Sequence, residues 1–175
     1  MDAIDLSVFS SRIAAVCEEM GAVLRRAAFS TNIKDRLDFS CAVFDPNGGL
    51  CAQAAHIPVH LGSMAFAMRA LVGAVRWSPG DMLVLNDPYL GGTHLPDVTL
   101  IAPVFVGDAL IGFVANRAHH ADIGALSPGS MPVSRSLDEE GLVIPPTLLL
   151  HRDTPVEECR MRITSATASP RASWA

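Results

Sequence analysis

Residues 98–116 read Val98-Thr99-Leu100-Ile101-Ala102-Pro103-Val104-Phe105-Val106, then Gly107-Asp108, then Ala109-Leu110-Ile111-Gly112-Phe113-Val114-Ala115-Asn116. Two apolar runs separated by a two-residue break have the spacing of a hairpin, so this stretch predicts antiparallel strands over 98–106 and 109–116. A second hairpin is predicted nearer the N-terminus. Asp38–Phe44 and Leu50–Ala54 flank Asp45-Pro46-Asn47-Gly48-Gly49, where proline presets φ and Asn-Gly tolerates positive φ. Met82–Leu85 is short and wholly apolar, the pattern of a strand buried on both faces.

Helical spacing appears in two places. Over Leu6–Phe29, residues Val8, Ile13, Val16, Met20, Val23, Leu24 and Ala27 share a stripe. Over Ser63–Val75, residues Met64, Phe66, Ala67, Ala70, Leu71 and Val75 do the same. Beyond Arg117 the chain turns loop-like: His119–Met131 is rich in Gly, Ser and Pro without periodicity, and Glu140–Leu150 is strand-like but broken at Pro145-Pro146. From about Glu158 an Ala/Ser/Thr/Pro/Arg bias predicts disorder. The expected architecture is α+β, a mixed or antiparallel sheet with flanking helices, in one domain over residues 1–157 with a disordered tail over 158–175.

Composition narrows the function. Of 175 residues half are apolar and 18% charged, against about a quarter charged in an average soluble protein. Such a chain is either a compact alanine-rich domain or one that buries surface against another protein. A net charge of −5 argues against binding a phosphate backbone. No basic segment followed by an apolar one opens the chain, and no apolar run nears the roughly 18–20 residues of a membrane span, so a soluble cytoplasmic protein is expected. Cys17, Cys41, Cys51 and Cys159 form no CxxC pair. Cys41 and Cys51 could face one another across the first hairpin, yet in a reducing compartment small buried thiols are the expectation.

The chemistry-bearing residues cluster in two segments, each following an apolar strand: Asn86-Asp87-Pro88-Tyr89-Leu90-Gly91-Gly92-Thr93-His94-Leu95-Pro96-Asp97 and Asn116-Arg117-Ala118-His119-His120-Ala121-Asp122. Two imidazoles and a carboxylate with open positions are a common catalytic metal arrangement. His94 and Asp97 are three apart, close enough for a turn to converge them on one ion, and Pro96 makes that turn non-helical. Adjacent His119 and His120 point opposite ways on an extended chain, so one can bind the cation while the other orients substrate or packs. Asp122 could ligate or accept a hydrogen bond from a ligand. Taken singly, Asp87 is a turn-forming Asp-Pro and Asp122 a loop cap. His56 and His60 lie about 13 Å apart if extended, too far for one ion, and are expected on the substrate side or in a structural role. The chain lacks GxxxxGK[ST], GxGxxG after a strand, and GxSxG, so any use of ATP falls to another chain or domain.

These segments, with Arg36-Leu37-Asp38-Phe39-Ser40-Cys41-Ala42 and His56-Ile57-Pro58-Val59-His60-Leu61-Gly62-Ser63-Met64, resemble the hydantoinase B/oxoprolinase family from near the N-terminus to about Arg152. The resemblance implies part of a larger hydantoinase B-type fold. It implies a component of an ATP-dependent cyclic-amide hydrolase, acting on hydantoin or 5-oxoproline with a hydantoinase A-type ATPase subunit as partner in a hetero-oligomer. A divalent metal, manganese, zinc or iron, is implied at His94, Asp97 and His120, with Asp122, His119 and Asp38 as the groups able to move protons. A ketone carboxylase component and a non-catalytic partner-binding remnant are the alternatives. The family continues past Glu157 with an aliphatic segment, so the Arg/Ser/Thr/Ala tail reads as a frameshifted end and the chain as incomplete.

Overall fold

The computed structural model of the chain describes residues 2–60, 62–127 and 133–174. The strands are β1 (Phe39–Phe44), β2 (Leu50–Ala55), β3 (Met82–Leu85), β4 (Asp97–Val106), β5 (Ala109–His119), β6 (Thr147–His151) and β7 (Thr154–Pro155). They form one sheet in the order β2-β1-β5-β4-β3-β6-β7, every neighbouring pair antiparallel. The expected architecture is therefore the observed one, with the antiparallel alternative realised.

Both predicted hairpins form. Asp45 holds the first, its Oδ1 accepting the Asn47 and Gly49 amides at 2.8 Å each. Gly107 takes φ +57 in the second, and β5 runs three residues beyond its predicted end, through His119. β6 starts only after Pro145-Pro146, as the break demanded. The β6–β7 turn, at Arg152 (φ +50) and Asp153 (φ +62), lacks the glycine that announces such turns.

Side chains alternate across a strand, and the register assigns each to a face. One face carries Ser40, Ala42 and Phe44 of β1, Arg117, Ala115 and Phe113 of β5, Thr99 and Ile101 of β4, and Leu83 and Leu85 of β3. Helix α3 (Ser63–Leu71) covers it, burying Met64, Ala67, Met68 and Leu71 against Phe44, Phe113 and Leu83. Burial of each large side chain contributes about 1.5–3 kcal/mol. Met68 takes the inward place expected of Phe66, which is exposed, and the helix ends four residues before Val75.

The opposite face is covered in two places. At one end Phe39, Cys41 and Ala118 pack with Ile33 of α2 (Thr31–Lys34) and with Met20 and Leu24 of α1 (Ala3–Ala27). At the other, Val84 and Val98 pack with Ile144, Cys159 and Ile163. Asp2 and Asp5 form a capping box at the start of α1, yet among its described residues only Cys17 and Gly21 are buried; Val8, Val16 and Val23 of the predicted stripe lie exposed.

A short helix α4 (Leu137–Glu140) precedes β6. The expectation of a disordered tail is corrected. Residues Glu157–Ala166 form helix α5, followed by α6 (Pro170–Trp174). Cys159 and Ile163, four apart, sit on one face of α5 and join the core. Two apolar anchors suffice where a sheet face is waiting, although the local sequence is polar. Residues 128–131 of the predicted 119–131 loop lie outside the described residues. Cys41 stands opposite Ala54, not Cys51; it is fully buried, while Cys51 is exposed, and both are free. Burial pushes the Cys41 thiol up to about 12, so it is inert. No helix among the described residues is long and apolar enough to cross a membrane.

Candidate metal centre

The centre lies at the end of the sheet where β4 begins and β5 ends. Asp97 opens β4 and faces His119, the last residue of β5, in the same register. Side-chain alternation puts His119 on the face that carries Arg117 and Thr99. His94 reaches the same place from the preceding loop. That loop begins with a short 3₁₀ turn, Pro88–Leu90, capped by Asp87, whose Oδ1 accepts the Tyr89 amide at 2.9 Å. Its backbone then passes so close to its neighbours that side chains are excluded. A Cβ at Gly91 (φ +98) would meet Ala67 at 2.6 Å, and one at Gly92 the Asn86 carbonyl at 2.5 Å.

Asp97 is the hub. Its Oδ1 lies 3.0 Å from His94 Nε2 and 3.1 Å from His119 Nδ1. Its Oδ2 lies 3.3 Å from His60 Nε2 and accepts the Thr93 hydroxyl. The side chain is almost wholly buried. Burial pushes its carboxyl up, but hydrogen bonds from His119, His60, His94 and Thr93 outweigh that and hold it well below the usual carboxylate range. It is therefore a permanent anion among imidazoles. Its hydrogen bond raises the His94 pKa above the ordinary value against the opposing effect of burial.

Ligating atoms of His94, Asp97 and His119 lie within 4.8 Å of one another, as do those of Asp38, His60 and Asp97. Asp38 Oδ2 stands 3.8 Å from His119 Nδ1, at the more open edge. His119 Nε2 is buried and has no hydrogen-bond partner. A buried imidazole nitrogen without a partner is costly, and a cation is one group that could satisfy it. The donor set, two imidazoles and a carboxylate with a second carboxylate nearby, suits a first-row divalent ion.

Of the expected residues, His94 and Asp97 are brought together as the spacing predicted. The third place in the cluster is taken by His119, where the resemblance had put His120. The reason is parity: one step along the strand carries His120 to the other face, where it lines a cavity with Ala118, Asn116 and Asp122. Burial, chiefly, and the adjacent His119 lower its pKa. Asp122 caps its loop, accepting the Gly124 amide at 3.0 Å and the Ser169 amide at 3.1 Å. His119 and Asp38, expected to move protons, stand within the cluster. His56 lies apart, its ring against Phe39 with centroids 4.6 Å away.

Three contributors were not singled out by spacing. His60 enters because Pro58–His60 folds into a 3₁₀ turn and is not extended. Thr93 was hidden by its short polar side chain. Arg117 is fully buried, its Nε donating to Thr99 Oγ1 at 2.8 Å and its Nη2 to the Gly91 carbonyl at 2.6 Å. Burial pulls its pKa down to about 10, against the pull of Asp97. An arginine two residues before His119 in an alternating strand was the available signal. Asn86 is structural: its Nδ2 donates to the Leu95 and Leu142 carbonyls at 2.8 Å each, stitching the His94 loop to the segment before β6.

The model of the hydantoinase B/oxoprolinase family matches residues 2–174, which includes the segment expected to fall outside it. An uncharacterised protein of Methanocaldococcus jannaschii is 46% identical over 99% of this chain and 32% of its own length. The 5-oxoprolinase 1 of Arabidopsis thaliana is 49% identical over 82% of the chain and 12% of its own length. The putative B-type subunit of a D-/L-hydantoinase from a Pseudomonas strain is 35% identical over 81% of the chain and 25% of its own. Among solved structures, the ATP-dependent caprolactamase of Pseudomonas jessenii superposes with a TM-score of 0.85 at 26% identity, over 99% of this chain and 31% of that one. The chain thus spans about a third or less of these relatives.

Proposed function

The chain belongs to the hydantoinase B/oxoprolinase family, and from that premise we propose that it carries the metal centre of an ATP-dependent cyclic-amide hydrolase. Its substrate class is a lactam such as a hydantoin or 5-oxoproline. The relatives named as 5-oxoprolinase, hydantoinase and caprolactamase support that class. The single observation that carries the reading is the convergence of His94 Nε2 and His119 Nδ1 on Asp97 Oδ1, at 3.0 and 3.1 Å, with ligating atoms of all three within 4.8 Å of one another.

His94, Asp97 and His119 would hold a divalent cation, manganese, zinc or iron. When bound, such an ion supplies Lewis acidity toward a carbonyl oxygen or lowers the pKa of water. Asp97 contributes a fixed negative charge, because its hydrogen bonds keep it ionised. His94, with a third of its side chain exposed, forms the open side from which a substrate arrives. Asp122 is occupied by backbone amides and His119 by Asp97, which leaves Asp38, a quarter exposed, to exchange protons with solvent. Activation by ATP is the work of an A-type ATPase subunit; that the Pseudomonas relative is one subunit of a hydantoinase, and so has a separate partner, supports this division.

Elemental analysis of the purified full chain tests this. Wild type and His120→Ala are expected to retain about one equivalent of metal, with Asp97→Ala and His119→Ala losing most of it. Equal occupancy in all four would remove the assignment.

A further inference from the structure

We infer that His60 is a positioning residue for this centre: clamped by Ser40, it holds Asp97 Oδ2 so that Oδ1, the oxygen facing His94 and His119, is the one turned to the cation. The inference rests on the metal reading above and extends it to the choice of carboxylate oxygen. His60 and Ser40 are both fully buried. Ser40 Oγ lies 3.0 Å from His60 Nδ1, and His60 Nε2 lies 3.3 Å from Asp97 Oδ2.

Chemistry then decides the tautomer. Both oxygens of Asp97 are ringed by imidazoles and the Thr93 hydroxyl, so the carboxylate is the acceptor and Nε2 of His60 carries the proton and donates it. In the neutral ring Nδ1 is the acceptor, and the Ser40 hydroxyl donates to it. This serine, histidine and aspartate look like a nucleophilic triad, but the hydroxyl has no access to substrate and points at the wrong ring nitrogen for that role. Nor is His60 a ligand, although it falls within reach of Asp38 and Asp97. Both its nitrogens are already engaged, Nδ1 by Ser40 and Nε2 by the Asp97 oxygen that His94 and His119 do not touch. Thr93 donates to the same Oδ2. The two partners of Oδ2 lie outside the proposed ligand set, whereas Oδ1 faces His94 Nε2 and His119 Nδ1, the groups with which it would share the cation. Hydrogen bonds that orient a metal-binding group in this way typically govern affinity by 10–100-fold.

The test uses the ¹⁵N-labelled full chain. Two-bond ¹H–¹⁵N correlations of the metal-free protein are expected to show His60 protonated at Nε2 and bare at Nδ1; a proton on Nδ1 would overturn the inference. His60→Ala should weaken manganese binding about 10–100-fold, with His60→Gln, whose amide can donate to Oδ2, recovering part. Ser40→Ala should weaken it less and release the ring to both tautomers, which decides the matter even if His60→Ala fails to fold. X-ray absorption of the zinc-loaded protein should count the same number of imidazoles in wild type and His60→Gln; a loss of one would make His60 a ligand and sink the idea. Wild type that takes up no metal would instead remove the centre itself, with the ring state still reporting whether His60 holds Asp97.

Discussion

His119 and His120 differ by a single step along a strand, and that step separates the sheet's two faces. The local sequence shows two histidines of equal merit. Only the register, which pairs His119 with Asp97 across β4 and β5, distinguishes them. His94 and Asp97 were legible because their partners lie within one turn. His60 was not, because its place depends on a 3₁₀ turn that brings it to a residue 37 positions away. His94 also sets a pH dependence. Its pKa is raised from 6.5, chiefly by the hydrogen bond to Asp97 against burial. The folded state thus binds this proton more tightly than the unfolded chain. The resulting stability is full below about pH 6.5 and is lost as pH rises through the raised value. With chelator present, the Tm should fall over that interval, and thermal scans of His94→Gln should show the fall diminished. The same proton competes with metal, so affinity should change in the opposite sense, improving as pH rises. Gly92 offers a second test. Its Cβ would overlap the Asn86 and Asp87 carbonyls, at 2.5 and 2.7 Å. Urea titration of Gly92→Ala should show a loss of about 1–3 kcal/mol, the usual cost of overpacking.

At the scale of elements, the strands were legible and the helices only in part. Short apolar runs bounded by turn residues can do little but pair, and β1 to β5 appear where they were read. Helical periodicity reveals a face but not what covers it. Only a narrow line of α1 meets the sheet, so Val8, Val16 and Val23 of the stripe are exposed, as is Phe9 beside it, while Met20 and Leu24 pack on Phe39 and Cys41. Phe9→Lys should therefore shift stability by no more than about 0.5 kcal/mol, whereas Leu24→Ala should cost about 2 kcal/mol or more. A circular-dichroism melt of each variant separates the two. Helix α5 was missed for the converse reason. Glu157, Arg160, Thr164 and Ser165 look like surface or loop, and the helix has little intrinsic stability. It forms because Cys159 and Ile163 close over Val84 and Val98. Hydrogen exchange should show protected amides through Arg160–Ile163, and Ile163→Ala should abolish that protection while leaving β4 and β5 protected.

For the molecule as a whole, the position of the centre matters more than its contents. It sits at one end of a seven-stranded sheet, on the face that α3 covers, with His94 and Asp38 on its accessible edge. Behind it, on the other face, the space between α1, α2 and α5 remains a largely apolar cavity of about 510 Å³. The chain spans 32% of the Methanocaldococcus jannaschii relative and 12% of the Arabidopsis one, so those proteins place much more polypeptide around this unit. A cation bound there would supply Lewis acidity but no coupling to ATP hydrolysis. The sequence carries no phosphate-cradling loop to supply that coupling. The expected division of labour follows. An A-type ATPase subunit, assayed with a panel of hydantoins and 5-oxoproline, should hydrolyse ATP without yielding ring-opened product. Adding this protein should produce the ring-opened product in step with phosphate release. Asp97→Ala in that protein should suppress the ring-opened product by at least about 100-fold, the loss expected when a charge-stabilising group is removed from such a site. Product formation undiminished by Asp97→Ala would mean that the chemistry resides elsewhere in the complex and that this end of the sheet is a structural joint.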